Sequence, residues 1–243
     1  MIRQSLVIPA FNEARLLPRL LDSVCAARGR YRAGAEAVEV ILADNDSTDA
    51  TAELAAAWGC RVVHVPERRI AAARNGGARN ARGEVLMFVD ADSRVHPETF
   101  TAVDEALARP GVVGGATGVT LERWSLGLAV TYIAFLPLVL LTGMDTGVVF
   151  CRRADFELIG GYDERLDFAE DVAFLWALRK LGAGRGRKLA RLRQVKAVAS
   201  TRKFDRHGDW HYFTRVAPAC LPALLLRSGR CAFARRYWYP DNR

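Results

Sequence analysis

An α/β fold, with a mostly parallel central sheet flanked by helices, is predicted for the first half of this sequence on three observations. Short apolar runs alternate with helix-period segments over residues 1–120. That alternation is the pattern of strands joined by crossover helices. With 243 residues, 51% of them hydrophobic, the chain is long and apolar enough to bury a sizeable core. Disorder, a collagen-like fibre and a disulfide miniprotein are excluded by the same composition.

The elements follow in order. Residues 5–8 form an apolar strand, and a helix from about Asn12 places Leu16, Leu17, Leu20, Leu21 and Val24 on one face. Residues 38–43 give a second strand, 49–58 a short helix and 61–65 a third strand. Residues 70–81 are Ala-rich and helical, 85–89 are a fourth strand, and 97–107 are a helix with Pro97 in its first turn. Ligands in such sheets bind beyond the carboxyl ends of the strands. The segments there are 9–13, 44–49, 66–69 and 90–92, and two of the four, 44–49 and 90–92, carry more than one carboxylate.

The second half is less regular. Residues 124–144 hold no charge between Arg123 and Asp145, long enough for a membrane span of about 20 residues. Pro137 interrupts the run, and Gly127, Thr131, Tyr132 and Thr142 dilute it, so a buried or interfacial helix pair is predicted instead. A strand over 146–151, a turn at Gly160-Gly161 and a helix over 170–181 follow. Residues 182–188 (GAGRGRK) read as a basic surface loop, since the GxxxxGK[ST] phosphate-loop spacing is absent.

Charge is uneven. From Arg179 onward there are 17 basic residues against Asp205, Asp209 and Asp241. Such a field attracts phosphate-rich partners. The five cysteines show no CxxC or metal-ligand spacing, and the first residues are too short in apolar run for a signal peptide. A cytoplasmic protein with reduced thiols is expected.

Three constellations carry chemistry. Asp90-Ala91-Asp92 closes the apolar strand VLMFVDADS, where two carboxylates at i and i+2 can converge on one hard cation. In Asp44-Asn45-Asp46-Ser47-Thr48-Asp49, the later residues suit a helix cap and Asp44 an Asx turn or a ligand contact. Glu170-Asp171 opens an amphipathic helix, where acidic residues suit the helix dipole and also a carboxylate base at a cleft mouth.

Taken together, these segments resemble the family 2 glycosyltransferases, an inverting group with the GT-A nucleotide-binding fold. The likeness lies in the order of VIPAFNEARLLPRLLDS, VILADNDSTDAT, RRIAAARNGGARNARGEVLMFVDADS and IGGYDERLDFAEDVAFLWALRKLG, spanning roughly residues 5–182. The resemblance implies a metal-dependent transfer of a sugar from a nucleotide-diphosphate sugar, a UDP-sugar first, to a hydroxyl acceptor. Pro9, Phe11 and Glu13 would line the nucleotide pocket, Asp44 would read the base edge, and Arg69 would approach the diphosphate. Asp90, Ala91 and Asp92 would meet the ribose and a Mn²⁺ or Mg²⁺ ion, with His207 a further ligand. Asp171, beside Glu170, would be the general base, and Arg202 and Lys203 would suit phosphate. Asn45 and Asp46 depart from the family pattern, which has an acidic residue and a glycine there. On this reading 1–120 is the nucleotide-sugar half, 121–200 the acceptor-side half of the same domain, and 201–243 a helical, basic, aromatic extension.

Two other readings compete. A basic module for anionic surfaces or nucleic acid would use the tail, but the acidic strand ends would repel phosphate unless a metal intervenes, so no nucleic acid is expected. A sugar nucleotidyltransferase would need a GxGxR loop where Pro9-Ala10-Phe11-Asn12 stands. The apolar run 124–144, a second at 216–226, and arginines interleaved with aromatics over 227–243 predict peripheral attachment to an anionic membrane, on the inner face of the cell membrane.

Overall fold

The computed structural model describes residues 1–142, 145–166 and 168–219. The first half runs β1 (Gln4–Ala10), α1 (Leu17–Arg30), β2 (Val38–Asp44), α2 (Thr51–Ala57), β3 (Arg61–His64), α3 (Ile70–Asn80), β4 (Val85–Phe88) and α4 (Thr99–Leu107). The second half runs β5 (Val112–Ala116), β6 (Val119–Leu121), α5 (Leu126–Thr142), β7 (Val149–Arg152), α6 (Arg153–Ile159), α7 (Glu170–Ala183), β8 (Lys188–Arg191), β9 (Ala197–Ala199) and α8 (Arg202–His207). A π-helical turn, Tyr212–Val216, follows.

The main sheet has the order β3-β2-β1-β4-β7-β5-β8. Its pairs are parallel except at β7, which runs antiparallel to both β4 and β5. Every residue of β1 is buried, as befits a central strand covered on both faces. Alternate side chains divide between two cores. Leu6, Ile8 and Leu42 pack with α1 and α4 through Leu20, Val24, Phe100 and Val103. Val7, Ile41 and Phe88 pack with α3, α6 and α7 through Ala72, Phe156 and Phe174.

Two glycines set how closely α3 lies on the sheet. A Cβ on Gly77 would stand 2.4 Å from Val7 Cγ1, and one on Gly76 would stand 2.6 Å from Val65 Cγ2. The GG pair therefore presses this helix, and Arg74 on it, against the strand ends.

Several expectations need correction. α1 begins at Leu17 and not near Asn12, because Asn12 takes a left-handed conformation (φ 51°) and residues 13–16 form a turn. The uncharged stretch is one helix and not a pair: α5 runs through Pro137, which costs it a backbone donor without ending it. No helix among the described residues is long and apolar enough to cross a membrane. Helix α7 extends to Ala183 into the predicted basic loop. Strands β5, β6, β8 and β9 and helices α6 and α8 complete what sequence periodicity left unassigned.

Candidate active site

The strand ends of β1, β2 and β4 meet helices α3, α7 and α8 around one cleft. Its walls include Pro9, Ala10, Phe11, Glu13, Asn45, Arg68, Arg74, Asp90, Ala91, Asp92, Glu170, Asp171, Arg202 and Lys203. Ten of the sequence-predicted site residues are thereby brought together. Asp44, Arg69 and His207 are not among the lining residues.

The loops after β1 and β2 are laced to each other. The Asn12 N–H donates to Ser47 Oγ (3.1 Å), the Thr48 N–H to Asn12 Oδ1 (2.8 Å), the Glu13 N–H to Thr51 Oγ1 (2.8 Å) and the Ala14 N–H to Asp49 Oδ2 (3.1 Å). Asp49 also accepts from the Thr51 N–H (3.0 Å), but it stands one residue before the N-cap position, which Ala50 occupies with no side-chain cap, so neither Ser47 nor Asp49 is the cap expected from sequence. Asp44 accepts from the Ser47 N–H (3.3 Å) and stands 3.5 Å from His64 Nδ1, just behind the cleft wall. The two departures from the family pattern have structural explanations. Asp46 adopts φ 67°, the conformation a glycine would supply, which aspartate tolerates better than most residues. The Asn45 side-chain amide donates to the carbonyls of Val65 (3.0 Å) and Glu67 (2.5 Å), pinning the loop after β3.

That loop corrects one prediction. Arg69 Nη1 donates to the Glu164 carbonyl (2.7 Å), bracing the segment before α7. Its neighbour Arg68 lines the cleft instead, its guanidinium 4.1 Å from the centre of the Phe11 ring. Consecutive residues entering a helix point in different directions, and sequence alone did not distinguish them.

Arg74 is the residue that sequence reasoning missed. Its side chain is 4% exposed, and its Nη2 donates to Asp90 Oδ1 (2.9 Å) while Nη1 donates to Glu170 Oε1 (2.9 Å) and lies 2.8 Å from Asp171 Oδ1. The guanidinium also faces the Tyr162 ring at 5.0 Å. An arginine amid the alanines and glycines of a helix face pressed to a sheet must be paired when buried, and that was the available signal. Burial pushes the Asp171 carboxyl up to about 7; Arg74 opposes this, while the carboxylates of Glu170 and Asp90 add to it. A group poised near neutrality suits a proton acceptor.

A second guanidinium spans the other carboxylates. Arg202 of α8 donates from Nη1 to Glu13 Oε2 (2.6 Å) and from Nη2 to Glu13 Oε1 (2.5 Å), with its Nε 2.9 Å from Asp92 Oδ2. Burial raises the Asp92 pKa, Arg202 counteracts it, and Asp90 and Glu13 raise it further. Such a crowded acidic cluster fits a hard divalent cation. Among the described residues no three His, Cys, Asp or Glu side chains are grouped to hold a metal by themselves. The arrangement thus suits an ion bound through one or two carboxylates, with substrate phosphates and water supplying the rest. His207 is not placed to join them. It lies five residues beyond Arg202, roughly 140° round a helix, and its ring faces His211 at 5.7 Å.

A mostly parallel sheet with acidic strand ends, an antiparallel insert and an acidic helix N-terminus at one cleft is the GT-A glycosyltransferase arrangement. The chain belongs to glycosyl transferase family 2, whose model matches residues 5–142. It is 35% identical over 112 residues to validoxylamine A glucosyltransferase of Streptomyces hygroscopicus subsp. jinggangensis, covering 44% of this chain and 26% of that one. It is 36% identical over 115 residues to undecaprenyl-phosphate 4-deoxy-4-formamido-L-arabinose transferase of Pseudomonas paraeruginosa, covering 43% and 32%. Both matches therefore span a third or less of the relative's own length. In fold it is similar to the mannosyltransferase PcManGT of Pyrobaculum calidifontis, solved in complex with GDP-Man and Mn²⁺, with a TM-score of 0.68 at 20% identity over 98% of this chain and 70% of that one.

Proposed function

We propose that this family 2 glycosyltransferase moves a sugar from a nucleoside-diphosphate sugar to a hydroxyl acceptor by single displacement with inversion. The observation that carries the reading is Arg74, which ties Asp90 on the donor side to Asp171 and Glu170 at the start of α7. Donor-side and acceptor-side carboxylates are thereby held one guanidinium apart.

In this reading Pro9, Phe11 and Glu13 border the nucleotide, and Asp44, behind the wall, supports the base edge. Arg68, Arg202 and Lys203 supply positive charge toward the diphosphate. Asp90 and Asp92 would hold a Mn²⁺ or Mg²⁺ ion, which when bound supplies charge to offset that building on the departing diphosphate. The Asp171 carboxylate takes the acceptor's hydroxyl proton as its oxygen bonds to the anomeric carbon. The bond from that carbon to the diphosphate oxygen breaks with its electron pair leaving on the nucleoside diphosphate. Attack on the face opposite the leaving group inverts the configuration. Glu170 shares Arg74 with the base and fixes where the guanidinium lies.

An acceptor at a membrane surface is part of the same proposal. Trp124, just before α5, and Leu126, Val130 and Ile133 on it stand exposed, and Trp210 and Phe213 are exposed further along the chain. A relative that acts on undecaprenyl phosphate supports this. The attachment is peripheral, to an anionic surface on the cytoplasmic side of the cell membrane. Of the arginine-aromatic segment invoked for this from sequence, residues 220–243 lie outside the described residues.

A thermal-shift panel tests the donor assignment. UDP, GDP and their sugars should raise the melting temperature in Mn²⁺ or Mg²⁺, one base standing clear of the other. A flat panel overturns it.

A further inference from the structure

Each carboxylate of the donor side already has a cation. Asp90 has Arg74, and Glu13 and Asp92 share Arg202. The two guanidinium partners differ in their freedom. Arg74 sits in α3 at 4% exposure, while the Arg202 side chain is 32% exposed on the cleft wall. Arg202 is also delivered from far away in the chain, 189 residues from Glu13. The helix carrying it is anchored by a separate contact: Arg123 binds Asp205 (Nε to Oδ1, 2.7 Å) and Asp209 (Nη2 to Oδ1, 2.7 Å). The Arg202 helix is thus held by contacts other than those its side chain makes with Glu13 and Asp92.

A divalent ion on Asp92 and a guanidinium 2.9 Å from the same carboxylate repel each other. A diphosphate alters the balance, because both cations can then face its oxygens. We propose that Arg202 is the resident counterion of the Glu13–Asp92 pair, that it keeps a divalent metal from binding alone, and that it turns to the donor's diphosphate when metal and donor enter together. The inference rests on the nucleotide-sugar reading for its ligand and goes beyond it in assigning an order of binding. Arg202 in this role is a gating and positioning residue for the metal.

Titration calorimetry of the full chain decides it, using Mn²⁺ alone, UDP or GDP alone, and each in the presence of the other. For the wild type, Mn²⁺ alone should bind weakly. Arg202→Gln should bind Mn²⁺ alone roughly tenfold tighter, yet lose roughly tenfold in nucleotide affinity at saturating Mn²⁺, within the usual range for coupling between sites. Arg202→Lys keeps a charge and should stay near the wild type in the Mn²⁺-alone arm. Equal or weaker binding of Mn²⁺ alone by Arg202→Gln overturns the proposal. If the glutamine variant does not fold, wild type that binds Mn²⁺ as tightly without nucleotide as with it overturns it too. Should neither nucleotide bind the wild type under any condition, the donor reading fails, while the Mn²⁺-alone arm still judges Arg202.

Discussion

Arg74 and Arg202 reach the same cleft from the two halves of the chain, and each brackets carboxylates that lie far from it in sequence. Arg74 is enclosed, and its three acidic partners come from β4's end and the first turn of α7. Arg202 is partly open to solvent, and its partners come from the loop after β1 and the end of β4. The contrast teaches that similar ion-pair geometry serves two ends. A buried guanidinium fixes the end of β4 against the first turn of α7. A guanidinium at the wall can be exchanged for another cation.

The sharpest break is at the group Arg74 positions. Asp171→Asn should lower turnover by about 10²–10⁴, the usual share of general-base catalysis, with donor affinity nearly unchanged. Collapse of donor affinity with turnover intact would make Asp171 a binding residue. The raised pKa adds a pH signature. Between about pH 4 and 7 the folded chain holds a proton on Asp171 that the unfolded chain has released. Stability of the ligand-free protein should therefore fall as pH rises through that window and level off above it. Activity should rise through the upper part of the same window. Urea melts against pH, compared with Asp171→Asn, in which the slope should flatten, check this.

Next in size is the cation itself. Arg74→Met leaves three carboxylates without their shared partner and should cost about 3–5 kcal/mol at pH 7.5, measured by urea denaturation. The loss should shrink at pH 5, where protonation relieves the cluster. Arg202→Met should cost less, since its site is more open; an equal cost would erase the distinction between the two. Asp92→Asn should keep the fold and abolish the metal-dependent gain in nucleotide affinity, measured by calorimetry with and without Mn²⁺. An unchanged metal response removes Asp92 from the metal site. The smallest effect on the fold is expected at the exposed face of α5. Ile133→Glu should change stability by about 0.5 kcal/mol or less while reducing co-sedimentation with anionic vesicles. A wild type that stays in the supernatant at low salt ends the membrane reading.

What was legible in the sequence follows the range of the forces involved. Strands β1 to β4 and the helices between them are each written in a local period, and the cleft residues Pro9, Phe11, Glu13, Asp90 and Asp92 stand where those strands end. The role of Arg74 was not legible: its setting among alanines and glycines marks a residue that must be paired when buried, but its partners Glu170 and Asp171 arrive from 96 and 97 positions away, which no local pattern shows. Arg68 and Arg69 differ only in direction, which no spacing rule separates. His207 was put in the metal site on kinship of position, and helix geometry turns it elsewhere. The antiparallel course of β7 was hidden for a related reason: a four-residue strand, VFCR, carries no sign of its direction.

That reversal has a consequence for how the molecule can vary. Since β7 runs against β5, the chain leaves the sheet at Ala116 and re-enters at Val149 as paired neighbours. The exit is stitched by the Thr117 N–H donating to the Val148 carbonyl (3.1 Å) and the Val148 N–H to Thr117 Oγ1 (3.0 Å). Everything between, including β6 and α5, is an excursion that begins and ends at one point on the cleft side. Segments with adjoining ends are where chains accept insertions and exchanges. The span 118–147 is therefore a natural cassette. A graft at that stitch would exchange the apolar helix α5 while Arg74 and its carboxylates stay on the sheet and helices around it, but it would have to keep a residue in the place of Arg123, whose bonds to Asp205 and Asp209 hold the segment that carries Arg202.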